Sequence, residues 1–257
     1  MRALIFTCCL VLLSACSSGP SIDRSIVSAN QDSRVQYVVL HYTSTDLAHS
    51  LQLLTQGEVS SHYLIAEQPP TIYQLVDENR RAWHAGESQW RGRTWLNSSS
   101  IGIELVNQGF TDTPEGRVWQ PYSEAQVAAL IVLLKDIAAR HHLPLDSIIG
   151  HSDIAPQRKT DPGPLFPWRR LAEAGLISWP DAAAVAQQKL RFSHELPPAS
   201  WFAAQLRQQG YAVPAGDVWD KPLQNVLAAW QMKYRPARFD GQPDAESAAL
   251  LAVLTKH

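Results

Sequence analysis

Between Gly150 and Trp168 the chain reads GHSDIAPQRKTDPGPLFPW, a stretch in which Pro156, Pro162, Gly163, Pro164 and Pro167 crowd together. A proline inside a helix removes a backbone donor and clashes with the preceding turn, so no continuous helix runs through this segment. A stiff loop is predicted, able to hold side chains at fixed separations. It carries His151, then Asp161 ten residues on, with Lys159 two residues before the aspartate. Imidazole and carboxylate together suit a zinc ion, and catalytic zinc takes three protein ligands and keeps a fourth position for water. Two ligands are visible in this segment, so a third is expected elsewhere.

Val35 to Leu40, in VQYVVLHYTST, is a β-branched and aromatic run without Gly or Pro and reads as a buried strand. His41 falls at its end, before a Thr43-Ser44-Thr45 turn and a predicted helix from about Asp46 to Thr55. Strand ends that meet loops are where sites lie in open α/β sheets. His41 is therefore the leading third ligand, with His49, His62 and His84 as rivals that composition does not separate. Ser100 to Asn107, SIGIELVN, reads as a second strand by alternation, with Glu104 on the face of Gly102, whose missing side chain leaves room beside it. A carboxylate in a strand is costly to bury unless it is paired or working. Arg80, Arg81, Arg91 and Arg93 are the alternative partners for it.

The ordered segments HYTST, SHYLI, AWHAG, SIGIELVN and GHSDIAPQRKTDPG resemble the zinc N-acetylmuramoyl-L-alanine amidases of the amidase-2 type, which share the fold of the peptidoglycan recognition proteins. The resemblance runs from about Val35 to Gly175. It implies an α/β fold, a mixed sheet flanked by helices, and one Zn2+ held by His41, His151 and Asp161. It also implies that Glu104 is the catalytic carboxylate, that Lys159 is the cation for the transition state, and that Trp83 and His84 line the substrate groove. The implied reaction is hydrolysis of the amide between N-acetylmuramic acid and the L-alanine of the stem peptide. Two rivals remain: a recognition module that binds peptidoglycan without cutting it, and a zinc peptidase that cuts within the stem.

Met1 to Cys16, MRALIFTCCLVLLSAC, has a basic Arg2, an apolar run and small residues before the cysteine. The run is shorter than the roughly 20 residues a spanning helix needs, so it reads as a signal peptide. Leu13-Ser14-Ala15-Cys16 resembles a bacterial lipobox. That implies cleavage before Cys16, lipidation of Cys16 and, with Ser17 following, the periplasmic face of a Gram-negative outer membrane. Cys8 and Cys9 leave with the signal, so the mature chain holds one cysteine and no disulfide within it. Losing Arg2 leaves 21 Lys and Arg against 24 Asp and Glu, a formal charge of −3. With no basic run, nucleic acid is not an expected partner.

The expected organisation is a signal peptide over 1–15, a tether over 16–33, a zinc amidase domain over 34–180, a linker over 181–198 and a helical unit over 199–257. The chain is expected to be a monomer. Within the catalytic part, a hairpin is predicted around Pro69-Pro70, a loop over Ala82–Asn97, and a helix from Ser123 to about His141. Ser123 and Gln126 would form a capping box there, and His141 and His142 would lie at the surface. A short helix is predicted over Pro167–Ala174, closed by Gly175. Ala182–His194 reads as a connecting helix. Beyond Pro197-Pro198, the spacing of Leu223, Val226, Leu227 and Trp230, and of Ala248, Leu251 and Leu254, predicts a three-helix unit. This unit resembles the small peptidoglycan-binding domain found beside many cell-wall hydrolases, with Gly210-Tyr211 and Asp240-Gly241 as its turns; the alternative is a helical extension that only buttresses the catalytic domain.

Overall fold

The computed structural model describes residues 20–216 and 218–255, so the signal peptide and Cys16 lie outside the described residues. Two units are distinguished, 1–32 and 33–257. The described part of the first, residues 20–32, is exposed and has no helix or strand.

Residues 33–257 are built on a five-stranded mixed sheet in the order β3-β2-β6-β1-β9. Its strands are β1 (Tyr37–Tyr42), β2 (Tyr63–Ile65), β3 (Ile72–Gln74), β6 (Ser100–Leu105) and β9 (Ile148–Gly150). β6 lies parallel to β1 and β2, β9 lies parallel to β1, and only β3 runs antiparallel. Two small hairpins, β4–β5 (Gln89–Trp90 and Arg93–Thr94) and β7–β8 (Phe110–Thr113 and Gly116–Trp119), stand apart from it.

Parallel strands are buried on both faces and read as apolar runs, which is the pattern of β1 and β6. Val38 and Leu40 of β1 and Ile101, Ile103 and Leu105 of β6 pack on one face with Leu130, Leu134 and Ile137 of α2 (Glu124–His141) and Leu171 of α4 (Trp168–Glu173). On the opposite face Leu64 and Val106 meet Leu54 of α1 (Leu47–Gln56). Val39 and Ile149, on that same face, join a core built with Ala85, Trp90, Leu96 and the C-terminal helices.

Those helices are α5 (Ala182–His194), α6 (Ala199–Gln209), α7 (Lys221–Tyr234) and α8 (Ala245–Leu254). Phe202, Leu206, Val226, Leu227, Trp230 and Leu251 fill one core with Ile154 and Ala155 from the segment after β9. Asp181, Asp220 and Asp244 cap α5, α7 and α8, each accepting from the backbone N–H three residues on. Gly210 (φ +116°) closes α6 and Gly241 (φ +72°) turns the chain towards α8, the left-handed conformations for which glycine is suited. Among the described residues no helix is long and apolar enough to cross a membrane.

Several local expectations need correction. The proline-rich segment is not loop throughout: His151–Ile154 forms a single helical turn, α3, before Pro156 stops it. The loop over 82–97 contains the β4–β5 hairpin and a 3-10 turn over Leu96–Ser98. Ser123 accepts from Gln126 N–H, but the Gln126 amide reaches inward to the carbonyls of Ile65 and Val106 at 3.0 and 3.1 Å. The capping box is therefore half formed: Gln126 Nε2 is committed to two buried carbonyls, and its Oε1, the atom that would accept from Ser123 N–H, is buried without a partner. His141 is partly buried, hydrogen-bonded to Ser33 Oγ and Glu78 Oε2.

Candidate active site

The register of the sheet brings the site together. Leu40 pairs with Gly150, so the next residue of each strand, His41 and His151, emerges side by side. On the other flank of β1, His41 is in register with Glu104 of β6. Asp161 returns to the same place because its carbonyl accepts from Ser152 N–H at 2.8 Å, tying the two ends of the 151–161 excursion together.

Three donor atoms converge there. His41 Nδ1 lies 2.9 Å from His151 Nδ1 and 3.0 Å from Asp161 Oδ2, and His151 Nδ1 lies 3.0 Å from the same oxygen. All three residues are buried, and together they form a group able to hold a metal ion. A tetrahedral zinc with bonds of about 2.0–2.2 Å needs donors roughly 3.3 Å apart, a spread of a few tenths of an ångström from what is seen. Three converging lone-pair donors with few protons to share are what a cation satisfies. The residues fit the ion.

Electrostatics agree with that fit. Burial, with the His151 ring beside it, lowers the His41 pKa to about 4, which leaves its ring neutral at pH 7, the state a ligand needs. Burial alone would raise Asp161, but the charge and hydrogen bonds of His151 and His41 outweigh it and hold the carboxyl far below its ordinary value. Burial, together with the nearby Asp161 charge, pushes Glu104 up to about 8, against a smaller lowering from Lys159. Glu104 Oε2 is buried without a hydrogen-bond partner, and none of the four candidate arginines pairs with it. Lys159 offsets only part of the cost of burying this carboxylate, and a bound dication would offset more.

The rival histidines separate cleanly. His49 is exposed on α1. His62 has both ring nitrogens committed, Nδ1 accepting from Gly102 N–H at 3.0 Å and Nε2 meeting the Arg80 carbonyl at 3.1 Å. His84 stands one layer behind the triad, with Nδ1 3.1 Å from His41 Nε2. Its ring fills the space over Gly102, where an added Cβ would come within 2.4 Å of the ring. The open space anticipated beside Gly102 thus belongs to an imidazole.

Around the triad lies a cavity of about 360 Å3. Glu104, Lys159, His84 and Trp83 line it, along with Leu53 and Leu54 of α1 and Thr160. Trp83 is 51% exposed with the Arg81 guanidinium stacked 4.1 Å from its ring, whereas Trp90 is buried and edge-on to Tyr211. Arg158 has no counterpart in the sequence expectations. Its guanidinium donates to the carbonyls of Ala85 and Glu87 at 2.5 and 2.6 Å, binding the 82–97 segment to the ligand loop. In PQRKT nothing but its position beside Lys159 sets this arginine apart.

Residues 31–164, just over half of the chain, match the Amidase_2 family, N-acetylmuramoyl-L-alanine amidase. The chain belongs to this family. The amidase is 43% identical to N-acetylmuramoyl-L-alanine amidase AmiD of Escherichia coli over 86% of this chain and 82% of the relative. In structure the amidase resembles E. coli AmiD in complex with anhydro-N-acetylmuramic acid-L-Ala-D-gamma-Glu-L-Lys, at 40% identity and a TM-score of 0.84, covering 93% of this chain and 95% of that one. It also resembles AmpDh3 from Pseudomonas aeruginosa, at 39% identity and a TM-score of 0.86, covering 93% and 98%. At 93% of the chain, both likenesses reach well beyond residue 164 into the helical part.

Proposed function

We propose that this amidase is zinc-dependent and hydrolyses the amide joining N-acetylmuramic acid to the L-alanine of the stem peptide, in peptidoglycan or muropeptides. The observation that carries the reading is the triangle of His41, His151 and Asp161 donors at 2.9–3.0 Å, in one cavity with an unpaired Glu104 carboxylate and Lys159. The muropeptide complexes of E. coli AmiD and P. aeruginosa AmpDh3 support the substrate class. One ion is assigned to His41, His151 and Asp161; zinc supplies a water of pKa near roughly 7 and polarises a carbonyl.

The rest of the chemistry falls to the protein's own groups. Glu104 takes a proton from the attacking water and returns it to the departing amine of L-alanine. Lys159 places its ammonium where negative charge grows on the carbonyl oxygen. Trp83, exposed at the rim, offers an apolar face to the sugar or stem peptide, while His84 contributes from beneath the triad. A recognition module without activity would have no use for a buried, unpaired glutamate beside the donor triangle.

The proposed setting is the periplasmic face of a Gram-negative outer membrane, reached through cleavage after residue 15, lipidation of Cys16 and the tether over 16–33. Residues 34–180 are assigned the chemistry, 181–198 the connection, and 199–257 contact with the wall. The protein is proposed to act as a monomer.

The test is digestion of defined anhydro- and non-anhydro-muropeptides by the purified, zinc-loaded chain, with products read by mass spectrometry. A freed L-alanine amine is expected. Cleavage within the stem would transfer the site to peptidase chemistry, and no cleavage with bound zinc would leave a recognition module.

A further inference from the structure

Behind the donor triangle runs a chain of hydrogen bonds that ends on backbone. Ser100 Oγ lies 2.6 Å from the Leu96 carbonyl and 3.2 Å from His84 Nε2. His84 Nδ1 in turn lies 3.1 Å from His41 Nε2. A carbonyl only accepts, so the single Ser100 hydroxyl hydrogen goes to Leu96. Towards His84 the hydroxyl oxygen then acts as acceptor, and His84 Nε2 must carry a proton. His84 is buried with no carboxylate against it, so a second ring proton would leave an unpaired cation in the interior. Its Nδ1 therefore holds a lone pair and accepts from His41 Nε2–H. Every proton in the series is accounted for, and the only ring atom of His41 left with a lone pair is Nδ1, the atom facing His151 and Asp161.

We propose that Ser100 and His84 are positioning residues, a proton-ordering relay that holds His41 in the tautomer whose Nδ1 is free for the metal. The relay rests on the metal-site reading above. His151 reaches the same state by a shorter route, its Nε2 meeting the Ala85 carbonyl at 3.1 Å. One ligand is thus oriented by backbone directly and the other through two side chains. Gly102 is part of the device, since a Cβ there would collide with the His84 ring. Hydrogen-bond partners of this kind typically change metal affinity by about 10- to 100-fold.

The test uses the full chain in two forms. In the metal-free protein, two-bond 15N–1H correlation spectra of the histidine rings report tautomers without any ion. The wild type is expected to show His41 and His84 protonated at Nε2. Ser100→Ala should mix the tautomers of His84, and His84→Ala should mix those of His41. Zinc affinity, read by competition with a fluorescent chelator, should fall about 10- to 100-fold in His84→Ala and less in Ser100→Ala. His84→Asn returns an acceptor oxygen at the Nδ1 position and should recover most of the affinity, an outcome a purely space-filling role would not produce. Gly102→Ala, which displaces the ring, should behave as His84→Ala does. A wild-type His41 protonated at Nδ1, or His84→Ala and Ser100→Ala both binding zinc as the wild type does, would overturn the relay. A wild-type protein that binds no zinc but shows the ordered tautomers would overturn the metal reading and leave the relay standing.

Discussion

Glu104 and Lys159 share a cavity with the donor triangle yet contribute no atom to it. Their removal should therefore separate chemistry from metal binding. Glu104→Gln keeps the shape and hydrogen-bonding reach of the side chain but has no basic oxygen, so proton transfer fails while zinc stays. A loss of about 100- to 10,000-fold in kcat is expected, with metal content unchanged. Lys159→Ala should also keep its zinc and lose roughly 100- to 1000-fold in kcat with little change in substrate affinity, because the charge it meets exists only in the transition state. Metal analysis alongside steady-state kinetics checks both. Loss of zinc from Glu104→Gln, or normal turnover by Lys159→Ala, would reassign these residues.

At the scale of elements, α2 is fastened to the sheet by polar groups as well as by its apolar stripe. Glu78 accepts from Tyr63 Oη of β2 at 2.7 Å and from Arg140 and His141 at the end of α2. Desolvation opposes ionisation of Glu78, but the hydrogen bonds from Arg140, Tyr63 and His141 dominate and lower its pKa from 4.5 to about 2. A depressed carboxylate stabilises the fold above its unfolded pKa, and this stabilisation is lost as pH falls through the folded value. Arg140 is well exposed, so screening limits the worth of the cluster to about 1 kcal/mol. Glu78→Gln should thus be less stable than the wild type by that amount at pH 7, and the gap should close between pH 4.5 and about 2. Denaturant titrations across that range decide it; a gap independent of pH would mean that packing, not charge, is lost. Gln126 supplies a second fastening. Gln126→Ala would orphan the Val106 carbonyl and leave Ile65 only its bond from Val106 N–H, at about 1–3 kcal/mol, measurable as a lower denaturant midpoint.

At the scale of the whole molecule, the helical part is joined to the catalytic part by a buried polar contact as well as by shared core. Asp153, two residues after His151, accepts from Tyr211 Oη at 2.5 Å and faces Lys233 Nζ of α7 at 3.5 Å, both residues almost fully buried. The same ammonium lies 4.3 Å from the Trp168 ring. Removing one partner of such a pair leaves an uncompensated charge in the interior, so Lys233→Met should cost about 3–5 kcal/mol. The loss should appear as one cooperative transition moved to lower temperature for residues 33–257. Separate transitions for the catalytic and helical parts would refute that coupling. At the other end of the chain, Cys16→Ala should leave metal content intact and release the protein from the outer-membrane fraction. Unchanged fractionation would refute the proposed anchor.

Local signals in this chain are strong where local physics governs. A branched apolar run without Gly or Pro marks β1, alternation marks β6, helical spacing marks α7 and α8, and the chemistry of His151, Asp161 and Lys159 stands out from a proline-rich background. What the sequence left open was every choice that depends on residues far apart along the chain. Four histidines competed for one ligand position, and only the pairing of Leu40 with Gly150 placed His41 against His151. Backbone contacts of His62, and the niche over Gly102 for His84, then removed those two. The inward turn of Gln126, the guanidinium bridge of Arg158 and the Asp153–Lys233 contact were likewise invisible, since each is a hydrogen bond or ion pair between segments tens of residues apart. Side-chain type and spacing select an element and a chemistry; which donors converge is decided by strand register and by which buried polar groups find partners when the layers close.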